Sequence, residues 1–269
     1  MNYLKLLSLL SIAPQMSYAT KESKQNNILF IIVDDLRPQI GCYGASYMHT
    51  PNIDALASDG VIFKKAYCNI PVSGASRASL LTGLRPTRTK FEQFEDRVDA
   101  DTPDAMTINE SFSKAGYITI ANGKVFHNED EKAQRYWTRY TPVSKLGNDP
   151  KIVHLNTFTD YHSKANNASL NKYIAKKSKK RGSYYECADL ADSMYLDYRV
   201  ASLTISDLQC LSKQDKPFFL ACGFTRPHLP FVAPQKYWDM YDPSTLKAPT
   251  SYHLPDNHNI PAEAFRGVG

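Results

Sequence analysis

In Ser73-Gly74-Ala75-Ser76-Arg77 a serine that can become a nucleophile stands one helical turn ahead of an arginine, and Leu80-Leu81-Thr82-Gly83 follows just behind. In a helix opening at Ser73, free backbone N–H groups and the macrodipole favour an anion at that residue. Arg77, four residues on, shares the face of Ser73 and adds a fixed positive charge. The chemistry implied is a reactive side chain beside a receptor for an anionic group. The plainer reading of the same residues is an N-capping serine and a surface arginine. A second candidate pair is Asp34-Asp35. Two adjacent carboxylates can both turn toward one hard cation, which relieves their mutual repulsion; alone, such a pair is often only a turn or a helix cap. Lys124 and His127 follow an apolar run, where solvated loop residues are the ordinary outcome.

These residues need elements to aim them. Ile28 to Val33 is a continuous apolar, β-prone run, predicted as a central strand covered on both faces. Asp34 and Asp35 then fall at its carboxyl end, where open α/β sheets place ligands. Thr50 and Pro51 open a helix to about Ser58, with Ile53, Leu56 and Ala57 as its buried side and Asn52 and Asp54 as first-turn residues rather than ligands. Gly60 stops that helix, and Val61 to Tyr67 alternates as a short strand. Thr107-Ile108-Asn109-Glu110 is a capping box for a helix ending at Gly116. Tyr117 to Ala121 is a strand that delivers Gly123-Lys124-Val125-Phe126-His127. Asn128 to Tyr185 lacks apolar runs and carries the basic stretch Lys176-Lys177-Ser178-Lys179-Lys180-Arg181, read as a solvated loop or, alternatively, a subsite for an anionic glycan. Glu186 to Leu211 is the longest helical pattern and is expected to pack on the sheet. Pro217 to Cys222 is a buried strand leading to Arg226-Pro227-His228; Ala233-Pro234 opens a short helix through Tyr241, and the stretch after Asp242 reads as loop.

The pattern around Ser73 resembles the signature of the type I, formylglycine-dependent sulfatases of the alkaline-phosphatase superfamily. The likeness extends over Asn27 to Pro38, Thr50 to Asp54, Gly123 to His127 and Phe224 to Phe231, and taken in order these motifs are most similar to the iduronate-2-sulfatase branch. The resemblance implies an α/β fold with a large mixed sheet sandwiched by helices, incomplete at the C-terminus. It implies that Ser73 is oxidised to formylglycine by a maturation enzyme, and that Asp34, Asp35 and modified Ser73 hold a divalent metal, Ca2+. Lys124 and His127 match positions that hold sulfate oxygens, and His228 matches a histidine that contacts the sulfate or the departing oxygen. Arg226 stands where relatives often carry Lys and is a candidate substrate contact. Arg77 would hold the aldehyde hydrate and the metal carboxylates. Relatives draw two further metal ligands and another lysine from a segment with no counterpart here, so the chain is expected to be an N-terminal portion of a sulfatase, with a C-terminal half as a candidate partner.

Composition sets the outer bounds. At 269 residues and 42% hydrophobic content the chain can bury one sizeable core or two small ones. The net charge of +5 favours anionic substrates without demanding nucleic acid, and no nucleic-acid motif is expected. Met1 to Ala19 has a short positive start at Lys5, an apolar core from Leu6 to Ile12, and Ser17-Tyr18-Ala19 as a small-x-small cleavage site. It reads as a secretory signal, residues 20–27 as a linker, and 28–269 as the catalytic portion, in a periplasmic or secreted protein of a bacterium with no membrane span. Five cysteines (Cys42, Cys68, Cys187, Cys210, Cys222) without C-x-x-C spacing exclude a zinc framework and read as buried free thiols. Three functions fit these observations. The chain is a sulfatase acting on a sulfated saccharide or glycosaminoglycan-like chain, a non-catalytic remnant that binds anionic glycans, or a phosphohydrolase of the same superfamily.

Overall fold

The computed structural model describes residues 25–131, 135–146, 161, 168 and 183–247. The expected signal segment, most of the linker and the basic stretch 176–181 lie outside these residues. Four strands form the main sheet: β1 (Ile28–Val33), β2 (Ile118–Gly123), β3 (Arg139–Thr141) and β5 (Phe218–Phe224), in the order β1-β5-β2-β3. Every ladder in it is parallel. A second, two-stranded parallel sheet pairs β4 (Tyr185–Ala188) with β6 (Phe231–Pro234). Helices α1 (Pro51–Asp59), α2 (Ser73–Thr82), α3 (Val98–Asp101), α4 (Ile108–Lys114), α5 (Val143–Leu146), α6 (Leu196–Leu211) and α7 (Gln235–Trp238) join them, with short 3-10 turns at Gly41–Tyr43, Asp192–Met194 and Pro243–Thr245. The alternation of strand and helix has produced the α/β architecture it implies.

β5 is the buried centre of this sheet, and its side chains alternate between two cores. Phe219 and Ala221 meet Ala75, Ala78 and Leu81 of α2, together with Phe91, Val98, Trp137 and Phe126. Phe218 and Leu220 point the other way, toward Leu208 and Leu211 of α6. Phe219 is the densest point of the first core, stacking on Phe112 at 4.5 Å, Trp137 at 5.7 Å and Phe30 at 6.0 Å between ring centroids.

β1 departs from its expectation. It pairs only with β5, so it is an edge strand among the described residues. Ile28, Phe30 and Ile32 pack on the α2 core, whereas Leu29 and Ile31 on the opposite face are 43% and 49% exposed. A continuous apolar run is what a doubly covered strand requires, and here α6 covers only β5 and β2.

Other local expectations are corrected by tertiary contacts. α1 forms where Pro51 opens it, but none of its residues is buried and Leu56 is 71% exposed. Thr50 does not cap it; its hydroxyl accepts the Gly41 N–H at 2.8 Å and donates to Asp54 at 3.0 Å. Among the described residues Val61 to Tyr67 finds no partner strand; it is exposed chain with a turn at Lys64-Lys65. The Thr107 box does not close, because Glu110 pairs instead with Lys114 at 2.8 Å. Within 186–211 the chain forms β4, a 3-10 turn (Asp192–Met194) and only then α6, so Leu190 and Met194 lie outside the helix. Ala233-Pro234 ends β6, and α7 stops at Trp238. Inside the region read as loop, Arg139–Thr141 adds a strand to the main sheet. All five cysteines are free, yet only Cys222 is buried.

Replacing Phe219 with Ala removes three ring contacts from a site that cannot collapse. We expect a loss of about 3–5 kcal/mol, read as a lower urea midpoint.

Candidate active site

Because β1, β5 and β2 run parallel, their carboxyl ends open on one edge of the sheet, and the first turn of α2 meets them there. The ladder extends one residue past each strand: Asp34 N–H donates to the Phe224 carbonyl at 3.1 Å and Lys124 N–H to the Gly223 carbonyl at 2.9 Å. The turn that releases Lys124 needs two glycines. Gly123 has φ of 78°, in the left-handed region, and a Cβ on Gly223 would collide with the Lys124 backbone.

Asp34 is the hub of the site and is 3% exposed. Its Oδ1 accepts from Arg77 Nη2 at 2.7 Å and from the Ser73 hydroxyl at 3.2 Å, while Oδ2 accepts from Lys124 Nζ. Arg77 spends its other donors on docking α2. Its Nη1 reaches the carbonyls of Lys124 and Val125 at 2.7 and 2.8 Å, and its Nε faces Ser73 Oγ at 3.4 Å. The plainer reading of a capping serine and a surface arginine therefore fails. Val72, not Ser73, is the N-cap of α2, Ser73 being its first helical residue, and Arg77 is buried.

The electrostatics follow from this burial. Burial alone would raise the Asp34 carboxyl, but the charges and hydrogen bonds of Arg77 and Lys124 overcome it and hold the group at about 2. Burial presses the Lys124 ammonium below its ordinary value, with repulsion from Arg77 adding and Asp34 opposing. Burial also drives His127 down to about 4, and the nearby cations Lys124 and Arg77 push it further the same way. His127 is thus a neutral imidazole at neutral pH, with Phe94 packed edge-on at 4.5 Å and a buried Nδ1 that has no hydrogen-bond partner among the described residues.

Asp35 turns away from Asp34. Its φ of 55° is left-handed, a conformation aspartate tolerates better than most residues, and its carboxylate is 56% exposed. His228 Nε2 stands 3.8 Å from Asp35 Oδ2. The other ring nitrogen, Nδ1, lies 2.7 Å from the Leu229 carbonyl, which can only accept, so Nδ1 carries the proton and Nε2 is the nitrogen turned toward Asp35. Arg226 folds back on its own turn, donating from Nη1 to the His228 and Leu229 carbonyls at 2.8 and 3.4 Å. The structure therefore brings together Ser73, Arg77, Lys124 and Asp34, sets His127 in their field, pairs Asp35 with His228, and gives Arg226 a role in shaping the His228 turn.

Asp197 was not visible as a site residue in the sequence. From the first turn of α6 its two carboxylate oxygens accept the Thr225 and Arg226 N–H groups at 2.9 and 2.8 Å, anchoring the turn that carries His228. In sequence it reads only as an acid at a helix N-terminus.

The donors match a hard divalent cation in kind but not in number. Ca2+ takes about six to eight oxygens, whereas among the described residues no group of three His, Cys, Asp or Glu side chains converges. Asp34, moreover, has both oxygens engaged by cations. The described residues do not by themselves fit the ion.

A parallel α/β sheet whose strand ends meet one helix N-terminus thus sets the Ser73 hydroxyl against Asp34 and Arg77, with Lys124 on the other oxygen of the same carboxylate. The chain belongs to the sulfatase family, whose model matches residues 26–259. It is 32% identical to iduronate 2-sulfatase of Mus musculus over 89% of its own length and 41% of the relative's. To a sulfatase of Formosa agariphila it is 30% identical, over 90% of this chain and 46% of that protein. Among solved structures, a phosphonate monoester hydrolase of Agrobacterium radiobacter shares the fold, with a TM-score of 0.53 and 22% identity over 83% of this chain and 45% of that one. The chain thus spans less than half the length of the curated relatives it matches. Among the described residues no helix is long and apolar enough to cross a membrane.

Acid should unfold the site in two steps. The His127 value of about 4 lies below the ordinary 6.5, so the unfolded chain takes the proton first. That contribution is whole above pH 6.5 and is lost as pH falls toward 4, amounting to about 2 kcal/mol after allowance for partial exposure. The Asp34 contribution is whole above 3.8 and is lost as pH falls toward 2. Urea midpoints measured against pH should show both steps, and His127→Gln should abolish the first while leaving the second.

Proposed function

We propose that the protein is a sulfuric-ester hydrolase that removes sulfate from a sulfated saccharide, using a formylglycine made from Ser73. The observation that carries this reading is Ser73 Oγ at a helix N-terminus, hydrogen-bonded to Asp34 and Arg77 beside the buried Lys124 ammonium. An unmodified serine hydroxyl is a weak nucleophile at neutral pH. Oxidation of its Cβ–OH to an aldehyde removes two hydrogens, taken up by a maturation enzyme, and water then adds to give a geminal diol. One hydroxyl of the diol attacks sulfur and releases its proton to solvent, while the S–O ester bond breaks and the ester oxygen departs as the alcohol. His228 is the residue we assign to protonating that oxygen, from Nε2 of its imidazolium form, since Nδ1–H is held by the Leu229 carbonyl. Arg77 and Lys124 oppose the charge that builds on the sulfate oxygens. The second hydroxyl then loses its proton to a base, for which neutral His127 is suited, and the sulfo-enzyme expels sulfate and regenerates the aldehyde. Arg226 is assigned to the substrate side through its hold on the His228 turn.

Asp34, Asp35 and oxidised Ser73 are the residues we assign to a divalent cation such as Ca2+, the rest of its oxygen shell coming from outside the described residues; no step above is routed through it. The saccharide class rests on the similarity to proteins described as iduronate 2-sulfatase and N-acetylglucosamine-6-O-sulfatase. We place the protein in the periplasm or outside the cell on the basis of its first nineteen residues. Its relatives are more than twice as long as the matched region, and the activity is proposed for the protein together with a counterpart of their unmatched remainder.

Mass spectrometry of the Ser73 peptide from the native host tests the mechanism. The expected product is an aldehyde in place of the hydroxymethyl group, and an unmodified serine in all copies overturns it. In active protein, Arg77→Lys should lower turnover of an aryl sulfate by on the order of 10²–10³-fold, because Lys cannot reproduce the fork of donors.

A further inference from the structure

β6 leaves the His228 turn and pairs with β4 in a small parallel sheet that has one face in a core and the other in solvent. Glu186 and Val232 are register partners and are buried, Val232 against Tyr161 and Tyr195. Tyr185 and Phe231, the register partners one position earlier, therefore share the opposite face, where they are 59% and 49% exposed. Trp238 of α7 joins them, 37% exposed, with its ring centroid 5.8 Å from that of Tyr185. Further along the same face come Cys187 and Ala233, too small to overhang the rings. Single exposed aromatics are ordinary, whereas three that adjoin mark a binding surface. The rings are also held in place. Lys236 Nζ and the Tyr237 hydroxyl both donate to the Asp192 carboxylate, at 2.7 and 3.1 Å, which pins α7 and its Trp238 to the turn before α6. Stiff rings on pinned elements lose little conformational freedom when a ligand settles on them.

Chemistry and position together select the ligand. The nearest cation, Lys236, is already paired with Asp192, so this face offers flat uncharged rings rather than a receptor for an anion. The negative face of an aromatic ring attracts C–H bonds polarised by neighbouring oxygens, and the flat side of a pyranose presents a set of these. Phe231 stands three residues beyond His228, and the parallel pairing puts Tyr185 at the same end of the small sheet as Phe231. The platform thus begins where the candidate active site ends. We propose that Tyr185, Phe231 and Trp238 form a stacking platform for a sugar ring other than the one whose ester is hydrolysed, so that the protein takes an oligosaccharide chain rather than a monosaccharide. With neighbouring strands about 4.8 Å apart, the three rings suit one or two pyranose units. This inference rests on the reading of the substrate as a sulfated saccharide, but not on oxidation of Ser73 or on turnover. The state of Ser73 reports on the mechanism and the ring variants report on the platform, so either can fail alone.

The test is calorimetric titration of the full chain with sulfated tetrasaccharides prepared from heparin, chondroitin sulfate and carrageenan. The proteins compared are the wild type, Tyr185→Ala, Trp238→Ala and, as a control, Phe63→Ala, which removes an exposed aromatic outside this face. The wild type should bind at least one tetrasaccharide. Tyr185→Ala and Trp238→Ala should each weaken that binding by about 3- to 10-fold, the range expected for loss of one stacked ring, and Phe63→Ala should leave it unchanged. Equal affinity in the wild type and both ring variants, a loss that Phe63→Ala shares, or no binding of any of the three tetrasaccharides overturns the proposal. A ring variant that instead changes the sedimentation coefficient of the free protein shows the face to be an interface between copies, and overturns it too. Should a ring variant fail to fold, the wild type labelled with 15N-tryptophan decides. The indole resonance of Trp238 must shift on addition of tetrasaccharide while that of buried Trp137 stays in place, and a Trp238 resonance that does not move overturns the proposal.

Discussion

The buried Asp34 carboxylate, held between Arg77 and Lys124, is the constraint on which the rest of the site depends. It joins three elements through polar groups: the end of β1, the first turns of α2 and the exit of β2. A carboxylate this deeply buried is tolerable only with charged partners, and each partner is tolerable only because of the carboxylate. Removing any one leaves an uncompensated charge in the interior. The cluster therefore reports on correct assembly of sheet and helix together, and it holds the Ser73 hydroxyl on Asp34 beside Arg77.

Around that cluster the fold acts as a ruler. Parallel ladders put the ends of β1, β5 and β2 in register, so residues distant in sequence arrive at one edge. The close approach of Gly123 and Gly223 lets Lys124 turn inward, and Asp197 ties the His228 turn to the start of α6. The two aromatic and aliphatic cores beneath β5 hold this geometry from both faces. Function in such a sheet is carried at the strand ends, while the strands themselves carry stability.

The same burial that brings Lys124 and Arg77 together on Asp34 also decides the protonation of the neighbouring histidine. His127 lies in the field of Lys124 and Arg77 and is desolvated, so it is neutral where an exposed histidine would be partly charged. A neutral ring can accept a proton, which an imidazolium cannot, and this is the property the proposed release of sulfate uses. His228 is arranged differently, with Nδ1 fixed on a carbonyl and Nε2 turned toward the exposed Asp35. Two histidines of the same type thus acquire different surroundings from two different loops.

Local sequence was sufficient where the determinant was local. The apolar run of Ile28–Val33, the small residues and apolar stripe of Ser73–Leu81, and the hydrophobic stretch before Cys222 specified strand, helix and strand, because periodicity and propensity act over a few residues. The order of the motifs was enough to place the chain among the sulfatases and to single out Ser73, Arg77, Asp34 and Lys124. Partner choice was not local. That β1 is an edge strand and Val61 to Tyr67 joins no sheet among the described residues, that the Thr107 box stays open because Glu110 prefers Lys114, and that Asp197 holds the His228 turn all depend on which surfaces meet. Above all, only the tertiary structure decided that Lys124 sits on Asp34, a contact between residues ninety positions apart. Burial created it: once both groups are withdrawn from water, each is the nearest relief for the other's charge.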